Sequence, residues 1–184
     1  MNYRLSRIAA ICGGKFSGCD SEVRSVVTDS RSLSCELGCR PMFVAMRGAN
    51  HDSHDFIADM QSRGVRAFLV ERGVEASSCT GECGFVQVDN AIEALQRLAA
   101  YHRAQFRGTV VGITGSNGKT VIKEWIAEEL PEGMKYYRSP KSYNSQLGVP
   151  LSVLMLEGDE ELAIFEAGIS KPGEMERLER IIRP

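Results

Sequence analysis

Apolar side chains in this chain come in short blocks punctuated by glycine, and the order of the blocks changes character near Gly108. The run Met42-Phe-Val-Ala-Met46 predicts a buried strand that ends by Gly48. A helix is expected near Phe56 to Arg63, closed by Gly64, and a second strand follows at Arg66-Ala-Phe-Leu-Val70. Asn90 and Glu93 stand in capping-box spacing, after which Ile92, Leu95, Ala99, His102 and Phe106 mark one face of a long helix. That helix is expected to close a first domain, residues 1–107.

From Gly108 onward, residues 108–184, the pattern becomes strand, helix, strand, helix, strand. The segments are Thr109 to Ile113, Lys119 to Leu130, Lys135 to Arg138, Ser145 to Leu156 and Leu162 to Phe165. Such alternation predicts a parallel sheet with right-handed crossovers. The fold class is therefore α/β: a small mixed α/β N-terminal domain followed by the first part of a parallel-sheet domain. Ligands of open parallel sheets sit beyond the carboxyl ends of the strands, so the loops after Ile113 and Phe165 are where chemistry is expected.

Composition narrows the setting. With 184 residues, 43% hydrophobic and 25% charged, the chain is globular, not disordered. The 22 basic and 24 acidic side chains leave a net charge of -2, so nothing draws it globally to nucleic acid or anionic lipid. The apolar stretch Ile8 to Cys12 is too short for a signal-peptide core, and no later run approaches the ~20 residues needed to cross a bilayer. A soluble cytoplasmic protein is expected. Cys35-x-x-x-Cys39 and Cys79-x-x-x-Cys83 have a spacing that zinc sites seldom use, so the six cysteines are expected to be reduced thiols.

The sharpest chemical signal is Gly112-Ile-Thr-Gly-Ser-Asn-Gly-Lys-Thr120, set between a β-branched strand and a helix whose buried side is expected to carry Ile122, Trp125, Ile126 and Leu130. Glycines let backbone N–H groups turn inward around phosphate oxygens, and the helix start adds its positive dipole end. Thr114, Gly115, Ser116, Asn117, Gly118, Lys119 and Thr120 form the candidate ATP-phosphate loop: Lys119 reaches the terminal phosphates and the Thr120 hydroxyl holds Mg2+. The plainer alternative is that Ser116-Asn-Gly118 is only a turn. The loop is a variant, because Ile113 stands where the generic spacing puts glycine.

A second piece is Leu162-Ala-Ile-Phe-Glu166-Ala-Gly168, an apolar strand ending in a carboxylate. If this strand lies beside the phosphate loop, Glu166 is a magnesium ligand of a P-loop ATPase; otherwise it marks where the strand meets solvent. Lys119 and Glu166 are the catalytic candidates, and Thr120 and Glu166 the metal candidates.

Three ordered segments resemble a known family. Thr114-Gly-Ser-Asn-Gly-Lys-Thr120 with Lys123-Glu124, then Tyr143-Asn-Ser-Gln-Leu-Gly-Val-Pro-Leu151, then Glu166-Ala-Gly-Ile-Ser-Lys-Pro-Gly-Glu174 together look like the Mur ligases of peptidoglycan synthesis. Thr28-Asp-Ser-Arg31, Met42-Phe-Val-Ala-Met-Arg-Gly48 and His51-Asp-Ser-His-Asp-Phe-Ile57 are similar to that family's uridine-nucleotide-binding domain. Within the family the wording is nearest to the member that adds D-alanyl-D-alanine to UDP-MurNAc-tripeptide, and Arg138-Ser-Pro-Lys-Ser-Tyr-Asn-Ser145 with Glu166-Ala-Gly-Ile-Ser170 resembles the variant fused to an alanine racemase. Two departures stand out: Asp52-Ser53-His54 replaces the common Asp-Gly-His, and Ser142-Tyr-Asn-Ser145 replaces an asparagine-richer segment.

The resemblance implies an ATP- and Mg2+-dependent amide ligase acting through an acyl phosphate. Its partners would be small molecules, a UDP-MurNAc-peptide and D-alanyl-D-alanine, with no nucleic acid and no membrane. It implies that Ser30 and Arg31 hold the uridine nucleotide, that Arg47 and His54 lie near its diphosphate, and that Asn144 contacts substrate or phosphate. Asp29-Ser-Arg31 as a polar turn and His54 as a helix-capping neighbour are the simpler alternatives. It also implies a longer parent with a third domain, so this stretch is expected to bind nucleotide without turnover, and its unfinished sheet to self-associate. Another Mur ligase step, adding a diamino acid or glutamate, stays open.

Overall fold

The computed structural model describes residues 1–32, 39–48, 52–71 and 82–184, which divide into two compact units, Met1–Ala94 and Leu95–Pro184. The first unit contains β1 (Tyr3–Arg4), α1 (Leu5–Cys12), β2 (Lys15–Gly18), β3 (Glu22–Val23), β4 (Ser25–Val27), β5 (Pro41–Val44), α2 (Ile57–Ser62), β6 (Ala67–Glu71) and β7 (Gly84–Val88). The division falls inside α3 (Ala91–Arg103) and not at 107/108. The later turns of α3 are tied to the second unit by side chains: Gln96 donates to the Gln146 carbonyl at 3.1 Å, and Arg103 Nε to the Ile182 carbonyl at 2.7 Å.

The first unit is a mixed sheet in the order β2-β7-β6-β5-β4, parallel except for the antiparallel β2–β7 pair. Strand alternation sorts its side chains to two faces. On one face Phe43, Phe68 and Phe85 meet Ile57 and Met60 of α2, with the Phe68 and Phe85 rings stacked at 5.3 Å. Helix α1 covers β7, burying Leu5, Ile8, Ala9 and Cys12 at the spacing of one helical stripe; Gly13 ends it in the left-handed conformation. Most of these strands are short and carry few apolar residues, which is why pattern alone marks only β5 and β6. The helix expected near 56–63 is a 3-10 turn, Ser53–Phe56, followed by α2.

The second unit contains β8 (Thr109–Thr114), α4 (Lys119–Glu128), β9 (Tyr136–Arg138), α5 (Gly148–Val153), β10 (Leu162–Ala167) and α6 (Glu174–Ile182). Its sheet is parallel in the order β8-β10-β9, so the expected alternation of strands and helices is present. Central β10 is buried along its whole length. Leu162 and Ile164 share a core with Ile113 and with Val111, Ile126, Leu130 and Met134; Phe165 points to the opposite face, where its ring lies 5.7 Å from that of Tyr137. Helix α5 starts later than the expected Ser145, because the Ser145 hydroxyl accepts the Gly148 N–H and holds the preceding residues as a turn.

The buried side of α4 differs from expectation. Ile126 and Leu130 pack on the core, but Ile122 and Trp125 are exposed, Trp125 at 64%, and the fully covered positions are Lys123 and Ala127. The helix is rotated so that a charged residue faces the sheet, for a reason that appears at the site. Ile92 of α3 likewise faces outward, while Leu95 and Ala99 are buried. Cys83 lies in the first unit's core and Cys39 is exposed; Cys35 and Cys79 lie outside the described residues. Among the described residues no helix is long and apolar enough to cross a membrane.

His102 of α3 gives the second unit a pH dependence. Burial lowers its pKa from the ordinary 6.5, opposed by its hydrogen bond with the Leu156 carbonyl at 2.9 Å. The unfolded chain therefore takes up the proton first, and stability present above pH 6.5 is lost as pH falls through the folded value. Thermal unfolding should show a falling midpoint from pH 7 to pH 5.5. His102→Gln should flatten that fall, and an unchanged slope would remove His102 as its source.

Candidate functional site

The carboxyl ends of β8 and β10 form the site of the second unit. Their parallel register sets Glu166 beside Ile113 and Ala167 beside Thr114. Alternation along β10 puts Glu166 on the same face as Leu162 and Ile164, the face covered by α4. Glu166 is therefore aimed at the helix that the phosphate loop opens. Its Oε2 accepts a hydrogen bond from the Thr120 hydroxyl at 3.1 Å, so the two residues expected to share a metal are in contact. Glu166 is 0% exposed, which disposes of the alternative that it marks the strand's arrival in solvent.

Gly115 to Gly118 form an exposed loop between β8, which ends at Thr114, and α4. Gly115 has φ +142° and Gly118, the residue capping α4, has φ +77°. Both lie where L side chains are strained, so the glycines are demanded by the turn itself. Helix α4 starts at Lys119, and its first amides have no partner within the helix. The Lys119 ammonium is folded onto the Gly115 carbonyl at 2.6 Å, across the mouth of the loop. Ile113, the departure from the generic loop spacing, is buried near the end of β8 in the core it shares with Leu162 and Ile164.

Asn144 also comes to this end of the sheet. Its carbonyl accepts the Gly168 N–H at 2.8 Å, and a Cβ placed on Gly168 would lie 3.2 Å from Asn144 Cγ. The close approach explains the glycine after Glu166-Ala167. The following loop is closed by Glu174, whose carboxylate accepts from the N–H groups of Ser170 at 2.7 Å and Lys171 at 3.0 Å. These bonds, the Ser170 one foremost, hold its carboxyl below the usual range.

In the first unit, Asp29 Oδ1 caps the Ser30–Ser32 turn by accepting the Arg31 N–H. The Arg31 guanidinium grips the same carboxylate through two atoms, at 3.0 and 2.9 Å, and lowers its pKa. Arg31 is nevertheless 89% exposed, and the Ser30 carbonyl accepts from Arg63 at 2.6 Å. Arg47 is exposed and lies 3.5 Å from Asp52. His54 is placed differently from the expectation of a diphosphate contact. Its side chain is 6% exposed, Nδ1 meets Asp52, and Nε2 accepts the Glu71 N–H at 3.2 Å. An Nε2 that accepts leaves the proton on Nδ1, facing the carboxylate. Both ring nitrogens are thus engaged within the first unit, and Asp52 itself caps the 3-10 turn through the His54 N–H.

Residues 113–184 match the Mur ligase middle domain. A UDP-N-acetylmuramoyl-tripeptide--D-alanyl-D-alanine ligase of Borreliella burgdorferi is 34% identical over 180 residues, 92% of this chain and 39% of the relative. The chain belongs to the Mur ligase family. The ligase of the same name from Escherichia coli is 32% identical over the whole chain, again 39% of its own length. Among solved structures, MurF from Acinetobacter baumannii superposes with a TM-score of 0.86 at 28% identity, over 100% of this chain and 40% of that one. MurF ligase from Thermotoga maritima in complex with ADP gives 0.72 at 32% identity, over 86% and 35%. The chain thus spans about two fifths of the length of these relatives.

Lys123, in the segment Lys123-Glu124 that follows the phosphate loop, is a residue of the site to which the sequence alone gives no role. Its position one turn beyond Thr120 and Lys119 was the available signal, since i, i+3 and i+4 share a helix face. For the loop itself, Gly118 offers a clean stability test. A Cβ there would find only Ile122 Cδ1, at 4.0 Å, so Gly118→Ala meets conformational strain and no clash. It should lower stability by about 1 kcal/mol, visible as a reduced urea midpoint at constant m value; an unchanged midpoint would mean the loop rearranges freely.

Proposed function

We propose that this chain is the uridine-nucleotide-binding and partial ATP-binding portion of a cytoplasmic ligase that adds D-alanyl-D-alanine to UDP-MurNAc-tripeptide. The observation that carries the proposal is the contact between Thr120, at the head of the phosphate-loop helix, and the buried carboxylate of Glu166. Two hard oxygen donors, an anionic one at the carboxyl end of β10 and a hydroxyl in the first turn of α4, beside a phosphate loop, fit Mg2+. Bound there, the ion would neutralise charge on the nucleotide phosphates.

A carboxylate is a poor acyl donor because its leaving group would be oxide. Transfer of the γ-phosphoryl group of ATP onto the tripeptide carboxylate gives an acyl phosphate, from which the amine of D-alanyl-D-alanine displaces phosphate. The chain's own residues position and neutralise. The loop amides of Gly115 to Gly118 and the start of α4 face the phosphates, and Lys119 exchanges the Gly115 carbonyl for a phosphate oxygen. Asn144, held against Gly168 just past β10, would contact substrate or phosphate at the strand ends. In the first unit Arg31 and Arg47 offer exposed guanidinium groups to the uridine nucleotide, Ser30 is partly buried beside Arg31, and His54 acts through the Asp52 loop that carries Arg47's partner.

The acceptor is tested with the full-length protein, by phosphate release with ATP, Mg2+ and UDP-MurNAc-tripeptide. Release that requires D-alanyl-D-alanine and falls roughly 100-fold or more in Lys119→Ala is expected. Release with a single amino acid instead would keep the family and change the step. Because the 184 residues span about two fifths of their relatives, they should bind uridine nucleotide yet show no substrate-dependent ATP hydrolysis; robust hydrolysis would overturn that reading. The β8 edge, paired only with β10 among the described residues, supports self-association of the 184-residue chain, which a monomeric sedimentation profile at high concentration would rule out.

A further inference from the structure

Lys123 is the one fully buried cation among the described residues. Its ammonium lies 2.9 Å from Glu166 Oε1, donates to the Ser139 carbonyl at 2.7 Å and to the Lys141 carbonyl at 2.6 Å, and lies 3.4 Å from Glu124 Oε1. Glu124 in turn pairs with Arg138 at the end of β9. A lysine ammonium has three protons to place, and burying it without partners is costly. Here α4, β10 and the turn after β9 all converge on one nitrogen.

The two oxygens of Glu166 are divided between two partners. Oε2 takes the Thr120 hydroxyl, while Oε1 has the ion pair with Lys123 and no hydrogen bond of good geometry. We propose that Lys123 is a positioning residue of the nucleotide site: it anchors Oε1 so that Oε2 stays turned toward Thr120, and it clamps the Ser139–Lys141 turn to the phosphate-loop helix. The proposal rests on the reading of Thr120 and Glu166 as the magnesium-nucleotide site. Lys123 touches neither nucleotide nor substrate in this role; it acts through Glu166. It also fixes the strand-end turn from which Ser142, Tyr143 and Asn144 follow, so one cation aligns two walls of the site.

A cation this close to a metal-binding carboxylate would also repel the metal. Glu124 offsets that repulsion, since Lys123 lies between two carboxylates and its charge is largely neutralised before any metal arrives. Orientation therefore dominates. Outer partners that orient metal-binding carboxylates typically matter by 10- to 100-fold in metal affinity.

The test is a cycle of Lys123→Gln, Glu166→Gln and the double variant. Glutamine keeps donors for the Ser139 and Lys141 carbonyls while removing the ammonium. The readout is the Mg2+ concentration giving half-maximal binding of a fluorescent ADP analogue by the 184-residue chain, alongside thermal unfolding of each variant. Lys123→Gln should raise that concentration roughly 10- to 100-fold, and should add nothing to Glu166→Gln. Equal effects of Lys123→Gln in both backgrounds, or no effect, would overturn the proposal while leaving the nucleotide site standing. Wild-type chain that shows no Mg2+-dependent binding would overturn the site and the proposal together. Should Lys123→Gln lack a cooperative unfolding transition, the wild-type Lys123 ammonium resonance decides. A shift on adding magnesium and ADP supports the proposal, and an unmoved signal overturns it.

Discussion

A carboxylate at the end of a strand covered on both faces must find its counter-charge inside the protein. Glu166 and Lys123 meet that requirement together, each at 0% exposure, and much of the second unit is arranged around them. Helix α4 is turned to present Lys123 to the sheet, at the expense of leaving Ile122 and Trp125 in water. The turn after β9 delivers two carbonyls to the same ammonium, with Lys141 in the left-handed region at φ +50°. Removing either partner would strand an uncompensated buried charge, which is far more damaging than the net worth of the pair.

That requirement also explains which parts of the site are legible from sequence. The loop from Thr114 to Thr120 announces itself because glycines, lysine and threonine must occur at set spacings for phosphate to be enclosed by backbone. Glu166 is visible as a charge closing an apolar run. The orientation of α4 is not visible, because an apolar count favours Ile122 and Trp125 as the buried side, and only the partner on a distant strand reverses it. Lys123 shares a helix face with Lys119 and Thr120, but its partner is hidden until β10 is placed beside α4.

In the first unit the sequence speaks less clearly. β5 and β6 are continuous apolar runs and stand out, whereas β2, β3 and β4 are short, partly exposed and rich in serine, charge or glycine. Their pairing is decided by neighbours far along the chain, as in the antiparallel register of Phe16 with Val86. His54 shows the same limit. Its residue type suggests contact with phosphate, but in the structure one ring nitrogen meets Asp52 of its own loop and the other accepts from Glu71 at the end of β6.

The outward turn of α4 has one more consequence. Trp125 is the single tryptophan of the sequence, it stands largely in solvent, and it sits on the helix that the phosphate loop opens. Its indole emission therefore originates from one place only, so the chain carries an intrinsic optical reporter on the outer surface of that helix, separated from the buried charge by the thickness of the helix itself.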